Sequence, residues 1–563
     1  MNQPHESAPS RVRFLIVFLA TLMAVLLYLD RYSITMLERY VTADLGLTDA
    51  QGGIYLAMFF YAYALAQVPS GWLTDSFGAR LMLTIYILGW SFFTAAMGFV
   101  HGFIMLLVIR ILFGITQAGA YPTAANVLSR WVPLSARGKA SGIVSFGGRI
   151  GGAIVPVLTG VLMVLLVPVS ESSRFAPGEV RDPELFSQQL FGTDSEEEPT
   201  RAVKALRAVI KGNLSTELKA QLEETAPDSK ALAGQLEEQL NRLLADPKLF
   251  DSEQVSKLQL PDEALSIVEQ SSPTPQETER LNRLVLEVLF PGSFKEVYGR
   301  SWRSIVMIYG LLGVVIGIPF WLLFRNRPEE HPRCNEAEVA LIRGPYAVKP
   351  SHSRKLDAIP WSRIILSLSV WCCCLVQIFT NIGWTFIVTW MPRYLQEVHQ
   401  VPLTERAVMT SLPMICGIVG NFLGGWLTDA VTHRFGLRLG RSLPVAFTRF
   451  LAAAAFAMCL FSNSAWGFTI LMCVMAFSVD LGIASTWAFN QDIGGRYVAT
   501  VLGWGNMWGN LAAGVSPMLL NYTIEKVSWY ATFVTCAGCF VAAGAIAFGI
   551  NATISIDEQT KEE

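Results

Sequence analysis

The pentapeptide GWLTD occurs twice, at Gly71–Asp75 and at Gly425–Asp429, and each copy closes a long apolar run. FFYAYALAQVPS (Phe59–Ser70) precedes the first copy and TSLPMICGIVGNFLG (Thr410–Gly424) precedes the second. The copies lie 354 residues apart; without one polar stretch of about 130 residues, about 220 remain. That is the length of six membrane-crossing helices with their turns, each helix needing about 20 apolar residues. A motif repeated at that spacing implies a duplicated six-helix unit, with a site where the two copies face each other.

Composition agrees. Of 563 residues, 52% are hydrophobic and only 16% are charged, against about 25% charged in soluble domains. The net charge of −2 excludes a nucleic-acid binder that works by bulk electrostatics. Apolar runs fall at roughly 13–31, 51–72, 81–99, 103–123, 140–167 and 304–324, then at 364–390, 407–427, 443–462, 465–489, 497–520 and 528–550. The expected fold is therefore all-α and membrane-integral, with twelve spans in two bundles. Lys and Arg gather on one side of these spans, at Arg11, Arg13, Arg80, Arg130, Arg137, Arg434 and Arg438, and in the central loop at Lys349, Arg354 and Lys355. The positive-inside rule makes that side, and both termini, cytoplasmic.

The expected organisation is an N-terminal bundle (1–168, helices 1–5), an extracytoplasmic insertion (169–300), helix 6 (301–325), a cytoplasmic central loop (326–362), a C-terminal bundle (363–551, helices 7–12) and a cytoplasmic tail (552–563). The insertion carries 24 acidic and 15 basic residues. Leu recurs there at helical spacing between charges, for example in ELKAQLEETAPDSKALAGQLEEQLNRLLADP from Glu217. Short amphipathic helices are expected, joined by turns such as Ala226-Pro227 and Pro261-Asp262. The insertion is either a lid or docking domain, or a tolerated surface addition. All nine Cys lie in the spans or at Cys334 in the central loop, so no extracytoplasmic disulfide framework, metal site or cofactor is expected.

The motif GWLTDSFGAR (Gly71–Arg80), partly echoed by GWLTDAVTHRFG, resembles the cytoplasmic-loop signature of the major facilitator superfamily. YLDRYSITM from Tyr28, RILFGITQAGAYPTAANVLSRWVPLSARGKASG from Arg110, NIGWTFIVTWMPRYL from Asn381 and GNMWGNLAAGVSP from Gly505 narrow the resemblance. They are similar to the anion:cation symporter family, which includes galactonate, glucarate and hexuronate transporters. The resemblance spans all twelve apolar runs and leaves the insertion out. It implies alternating access with Gly71, Asp75, Arg80, Gly425 and Asp429 as the gating motif. It also implies a sugar-acid substrate such as a hexuronate, hexonate or aldarate, proton-coupled symport, a bacterial inner membrane and a monomer.

Charges inside the apolar runs are costly and need a reason. Asp30 and Arg31, Arg110, Arg149 and Asp480 are such charges. Arg suits a carboxylate because its planar fork binds two oxygens and stays protonated. By resemblance, Arg31 is the carboxylate ligand, Tyr28 and Tyr63 add hydrogen bonds, and Asp30 takes part in proton coupling. The family places a proton-carrying Glu seven residues after the Arg of the fourth span. This chain has Gln117 there, which cannot release a proton, so sodium coupling and facilitated passage stay open beside proton symport. Either Asp480 has taken over that role, or Arg149 and Asp480 form a static pair, or Arg149 meets a second anionic group. Arg110, Gln117, Asn381, Ser411, Trp487 and Arg149 complete the expected substrate-binding set. Asn421, Trp384 and Trp508 are weaker candidates. A transporter-like sensor that uses the insertion is the alternative reading. Efflux of lipophilic cations fits the intramembrane Arg poorly, and no catalytic triad, phosphate loop or metal cluster supports an enzyme.

Overall fold

The computed structural model describes residues 8–192, 200–223, 229–258, 260–270, 272–343, 359 and 361–556. The Ala226-Pro227 turn, Lys349, Arg354, Lys355, much of the central loop and the last seven residues of the tail lie outside the described residues. Helices follow one another as α1 (Val12–Met36), α2 (Glu38–Leu45), α3 (Asp49–Phe77), α4 (Ala79–Ala96), α5 (Phe103–Gln117), α6 (Ala120–Trp131) and α7 (Arg137–Leu165). Next come α8 (Pro183–Phe191), α9 (Arg201–Asn213), α10 (Thr216–Glu223), α11 (Ser229–Leu244), α12 (Ser252–Val255), α13 (Asp262–Val268) and α14 (Pro275–Leu289). The remainder is α15 (Trp302–Leu323), α16 (Glu336–Arg343), α17 (Trp361–Leu366), α18 (Leu368–Thr385), α19 (Met391–Glu397), α20 (Leu403–Cys459), α21 (Ala465–Leu481), α22 (Ile483–Ile493), α23 (Val498–Lys526) and α24 (Trp529–Ala547). Among the described residues, the one strand-like pairing is an isolated bridge between Val180 and Phe294.

Nine helical stretches among the described residues are long and apolar enough to cross a membrane. Phe92, Leu165, Leu366 and Phe461 are more than 60% exposed, the reverse of a soluble surface and the expected face toward lipid. The protein is an integral membrane protein.

The chain divides into two compact units. The first comprises Met1–Ser33, Gly53–Pro156 and Val306–Glu563. Part of its apolar interior is an aromatic cluster in which Phe456 stacks on Phe540 at 5.8 Å and Phe386 meets Phe533 at 5.4 Å. A π-helical turn, Phe386–Trp390, joins α18 to α19 just ahead of Pro392, which has no amide hydrogen to continue the regular ladder. The spans expected at 407–427 and 443–462 are joined without a loop. Helix continues through the basic segment between them, broken at Gly436 with φ of 77°. Glycine turns there without the Cβ penalty of other residues, so both flanking segments keep their backbone hydrogen bonds.

The second unit comprises Ile34–Gly52 and Val157–Ile305. Phe186 contacts Phe290 at 4.5 Å and Phe294 at 5.5 Å, and Phe175 contacts Phe294 at 5.0 Å. Arg283 is fully buried beside this cluster. It donates to Glu287 at 2.7 Å and to the carbonyl of Lys295 at 2.6 Å, with Glu179 at 3.2 Å. The buried charge is thus paired and hydrogen-bonded, as burial requires. Asp44 accepts from Trp302 Nε1 at 3.2 Å and from Arg303 Nη2 at 3.0 Å, tying α2 to the start of α15.

Helix α14 begins with a reciprocal cap. The Glu277 amide donates to Thr274 Oγ1 at 3.3 Å, and the Thr274 amide donates to Glu277 Oε2 at 2.7 Å. That backbone hydrogen bond holds the Glu277 carboxyl below its usual range. The contribution is present at neutral pH and is lost as pH falls through the lowered value. Thr274→Ala is expected to destabilise the first turn of α14 by about 1 kcal/mol. Faster amide exchange confined to that turn would show it.

Candidate functional site

A cavity of about 240 Å³ lies within the first unit, walled by helices of both repeats. Tyr28 and Arg31 of α1, Tyr63 of α3, Tyr121 of α6, and Ser145 and Arg149 of α7 form one wall. Gln377 and Asn381 of α18, Arg449 of α20, Asp480 of α21, Trp487 of α22 and Asn510 of α23 belong to the other. Its size suits a small polar molecule below the usual range of drug-sized pockets.

Arg31 has a defined seat. Its Nε donates to Gln117 Oε1 at 2.8 Å, and Gln117 Nε2 donates to the Leu27 carbonyl at 3.0 Å. Both ends of the Gln117 amide are therefore used in fixing Arg31. The guanidinium also lies 4.4 Å from the Tyr63 ring centroid, 5.1 Å from Phe59 and 5.2 Å from Tyr28. Arg31 Nη2 is buried with no hydrogen-bond acceptor, and no described carboxylate pairs with this side chain. Burying a cation among rings recovers part of its lost hydration, but not what an anion would return.

On the other side, Arg149 Nη2 donates to Asp480 Oδ1 at 2.6 Å, and its guanidinium lies 5.0 Å from the Trp384 ring centroid. Arg149 and Asp480 come from different repeats, so this pair bridges the cavity. Asp480 Oδ2 accepts no hydrogen bond. Arg449, only 3% exposed, donates to the Val479 carbonyl at 3.0 Å and leaves Nε without an acceptor.

The two GWLTD copies make matching contacts between repeats. Asp75 accepts from the amides of Ala499 at 3.2 Å and Thr500 at 2.8 Å, at the start of α23. Asp429 accepts from the amides of Gly138 and Lys139, both at 3.0 Å, at the start of α7. Each carboxylate caps a helix N-terminus of the opposite repeat, where unpaired amides and the helix dipole favour negative charge. The glycines allow the approach. A Cβ at Gly71 would run into the Ala499 carbonyl, and one at Gly425 would sit 2.7 Å from the Gly138 carbonyl. Further links are Arg137 to Asp492 at 2.7 Å and Gln491 Nε2 to Ser141 at 2.9 Å. Arg80 instead donates to the Trp321 carbonyl, within its own repeat.

Of the residues singled out in the sequence, Tyr28, Arg31, Tyr63, Arg149, Asn381, Asp480, Trp487 and Trp384 line the cavity. Gln117, Arg110, Asp30 and Ser411 do not. Gln117 acts on Arg31. Arg110 is buried against Phe59 at 4.9 Å and Phe113 at 5.2 Å. Asp30 is fully buried beside Trp90, with no hydrogen bond of normal geometry to either oxygen. Asn421 donates to Ser145 at 2.8 Å, and Trp508 packs on Trp371 at 5.6 Å. Arg449 is not among the residues singled out in the sequence, although a lone charge in RFLAAAAF is the same signal that marks Arg110 and Arg149.

Apolar helices carrying the two GWLTD copies surround a polar cavity. The profile of the Major Facilitator Superfamily matches residues 20–168 and 288–517, and the chain belongs to that superfamily. It is a transporter and not an enzyme. The chain is 25% identical to the probable sulfoacetate transporter SauU of Cupriavidus necator, across 97% of this chain and 96% of that protein. It is 22% identical to the probable galactarate/D-glucarate transporter GudP of Bacillus subtilis, across 95% and 90% of the two chains. Its fold is similar to the crystal structure of the Major Facilitator Superfamily transporter FucP in the outward conformation, with a TM-score of 0.56, 13% identity, and coverage of 95% and 99%.

Proposed function

We propose that this protein is a secondary carrier that moves a small organic anion, with sugar acids foremost, by alternating access in a bacterial inner membrane. The carrying observation is Arg31, a buried cation at the cavity wall that Gln117 orients and no described carboxylate neutralises. The relatives named for sulfoacetate, galactarate and glucarate favour an anion over a lipophilic cation, and transport over sensing. Twelve spans follow when α3 and α23 are added to the nine strongly apolar stretches and α20 is divided at Gly436. On that count both termini share one side, which the positive-inside rule makes the cytoplasm; the GWLTD ends then face the cytoplasm and the insertion is extracytoplasmic. The paired helix caps then close the cytoplasmic side. The carrier works as a monomer.

Coupling to protons runs through Asp480 in this reading. Protonation would remove the negative partner of Arg149 and release its guanidinium toward a substrate anion. Asp480→Asn is expected to make uptake indifferent to an imposed proton gradient. Gradient-stimulated uptake that survives in this variant would transfer the role to Asp30. The decisive experiment is uptake of a labelled panel of sugar acids and sulfoacetate into proteoliposomes, with and without an inward proton gradient. Stimulated uptake of one acid supports symport. Binding without any uptake would sink the carrier reading and restore the sensor.

A further inference from the structure

Three arginines and one aspartate meet at the cavity, and their arrangement is uneven. Arg31 stands on the α1 wall with no described carboxylate partner. On the opposite side, the single carboxylate of Asp480 is engaged by Arg149 at 2.6 Å. Arg449 shares that region, is nine-tenths buried or more, and among the described residues donates to backbone and hydroxyl oxygens, Val479 at 3.0 Å and Thr448 Oγ1 at 3.4 Å, while Asp480 acts on it electrostatically without a hydrogen bond. Two positive charges are therefore left over, one on each repeat. A buried charge in a spanning helix is costly unless something compensates it. Arg149 and Arg449 share the one carboxylate of Asp480, so a ligand with one anionic end would answer Arg31 and leave one positive charge on the opposite side uncompensated.

Resting on the anion-carrier reading above, we infer that the cavity has a second anionic subsite at Arg449 and that its ligand is a dianion, with one acidic group held by Arg31 and the other by Arg449. While Asp480 is ionised, the Arg149–Asp480 pair lies beside this second pole and limits it to one net positive charge. Gln377, Asn381 and Asn510 supply uncharged hydrogen-bonding groups on the same wall, suited to the hydroxyl-bearing middle of an aldarate. A shorter dianion such as a sulfonated carboxylate fits the same charge pattern.

The test compares ligands that differ only at one end. D-Glucarate and D-gluconate, and likewise galactarate and galactonate, share a carbon chain, with one carboxylate replaced by a neutral alcohol. At neutral pH the carboxyls are ionised. Affinities for purified protein, measured by calorimetry or competition, are expected to favour the dianion by about tenfold or more in at least one pair. Arg449→Gln should bring that ratio close to one by weakening the dianion, whereas Arg31→Gln should weaken both members. Equal affinity of the unaltered protein for dianion and monoanion would overturn the second subsite and leave the anion carrier standing. A ratio that Arg449→Gln does not change would overturn the role of Arg449. If Arg449→Gln does not fold, Arg449→Lys replaces it: losing the planar fork should weaken the dianion and leave the monoanion unchanged, and an equal effect on both would overturn the role of Arg449. Binding of sulfoacetate but not acetate supports the dianion rule for short ligands. Failure of every anion to bind would remove the carrier reading and this inference together.

Discussion

Arg31→Gln is expected to lower affinity for the transported anion by about 100-fold or more while leaving the fold intact. Truncating one member of a buried, hydrogen-bonded charge pair costs about 2–5 kcal/mol. The loss here falls on the complex, because the empty protein has no described carboxylate paired with Arg31. Thermal stability without ligand should therefore hold or rise, since an uncompensated buried cation has been removed. Arg31→Lys keeps the charge but not the fork; one ammonium cannot reproduce the planar grip on Gln117 and a carboxylate, so an intermediate loss is expected. Gln117→Glu is the companion experiment. It would put a carboxylate where an amide oxygen now lies 2.8 Å from Arg31 Nε, in competition with the substrate. Binding should then weaken at neutral pH and recover as the new carboxyl is protonated. Calorimetric titration at several pH values checks both variants. Arg31→Gln binding within threefold of the unaltered protein would remove Arg31 from the site.

Gly71→Leu is expected to stop net transport, with a fall of about tenfold or more in the uptake rate, while ligand binding persists. The two repeats meet backbone to backbone at this point, and any side chain beyond hydrogen overlaps the Ala499 carbonyl. Asp75 would also be pushed away from the amides at the start of α23, which removes a helix cap along with the contact. Gly425→Leu should behave alike, because the same contact recurs with Gly138 and Asp429 in the other direction. Gly538→Leu serves as the comparison, since a Cβ there meets nothing within 4 Å. Uptake rate and affinity measured on the same preparation separate the cases. Normal uptake by Gly71→Leu would mean that the closed contact is not part of the cycle.

Much of the architecture was legible because membrane helices announce themselves through uninterrupted apolar length, and the GWLTD repeat fixed the duplication. Charged site residues were legible for the same reason: Arg31, Arg149 and Asp480 stand out against an apolar run, and so does Arg449 once the same rule is applied to it. Gln377 and Asn510 were not. A neutral polar residue on a spanning helix costs little, and which face of the helix turns inward depends on packing that periodicity alone does not give. The role of Gln117 was half legible. Its inability to release a proton follows from its chemistry, but its action as a strut between Leu27 and Arg31 needs the distances. The helical join at Gly436 was hidden because a basic, glycine-containing segment reads equally well as a loop.

The three arginines and one aspartate of the cavity also have an electrical consequence. With Asp480 ionised, the cavity of the empty carrier holds two net positive charges; the dianion inferred above would cancel them, and a proton taken up by Asp480 in the proposed symport would add one positive charge to the loaded form. On that reading the loaded carrier would move at most one positive charge, whereas the empty carrier would carry two back across the membrane field. A potential of 100 mV acts on each such charge with about 2.3 kcal/mol, and with the interior negative it opposes the outward return. Exchange of one anion for another should therefore respond to voltage less than net accumulation, which should slow as the membrane polarises.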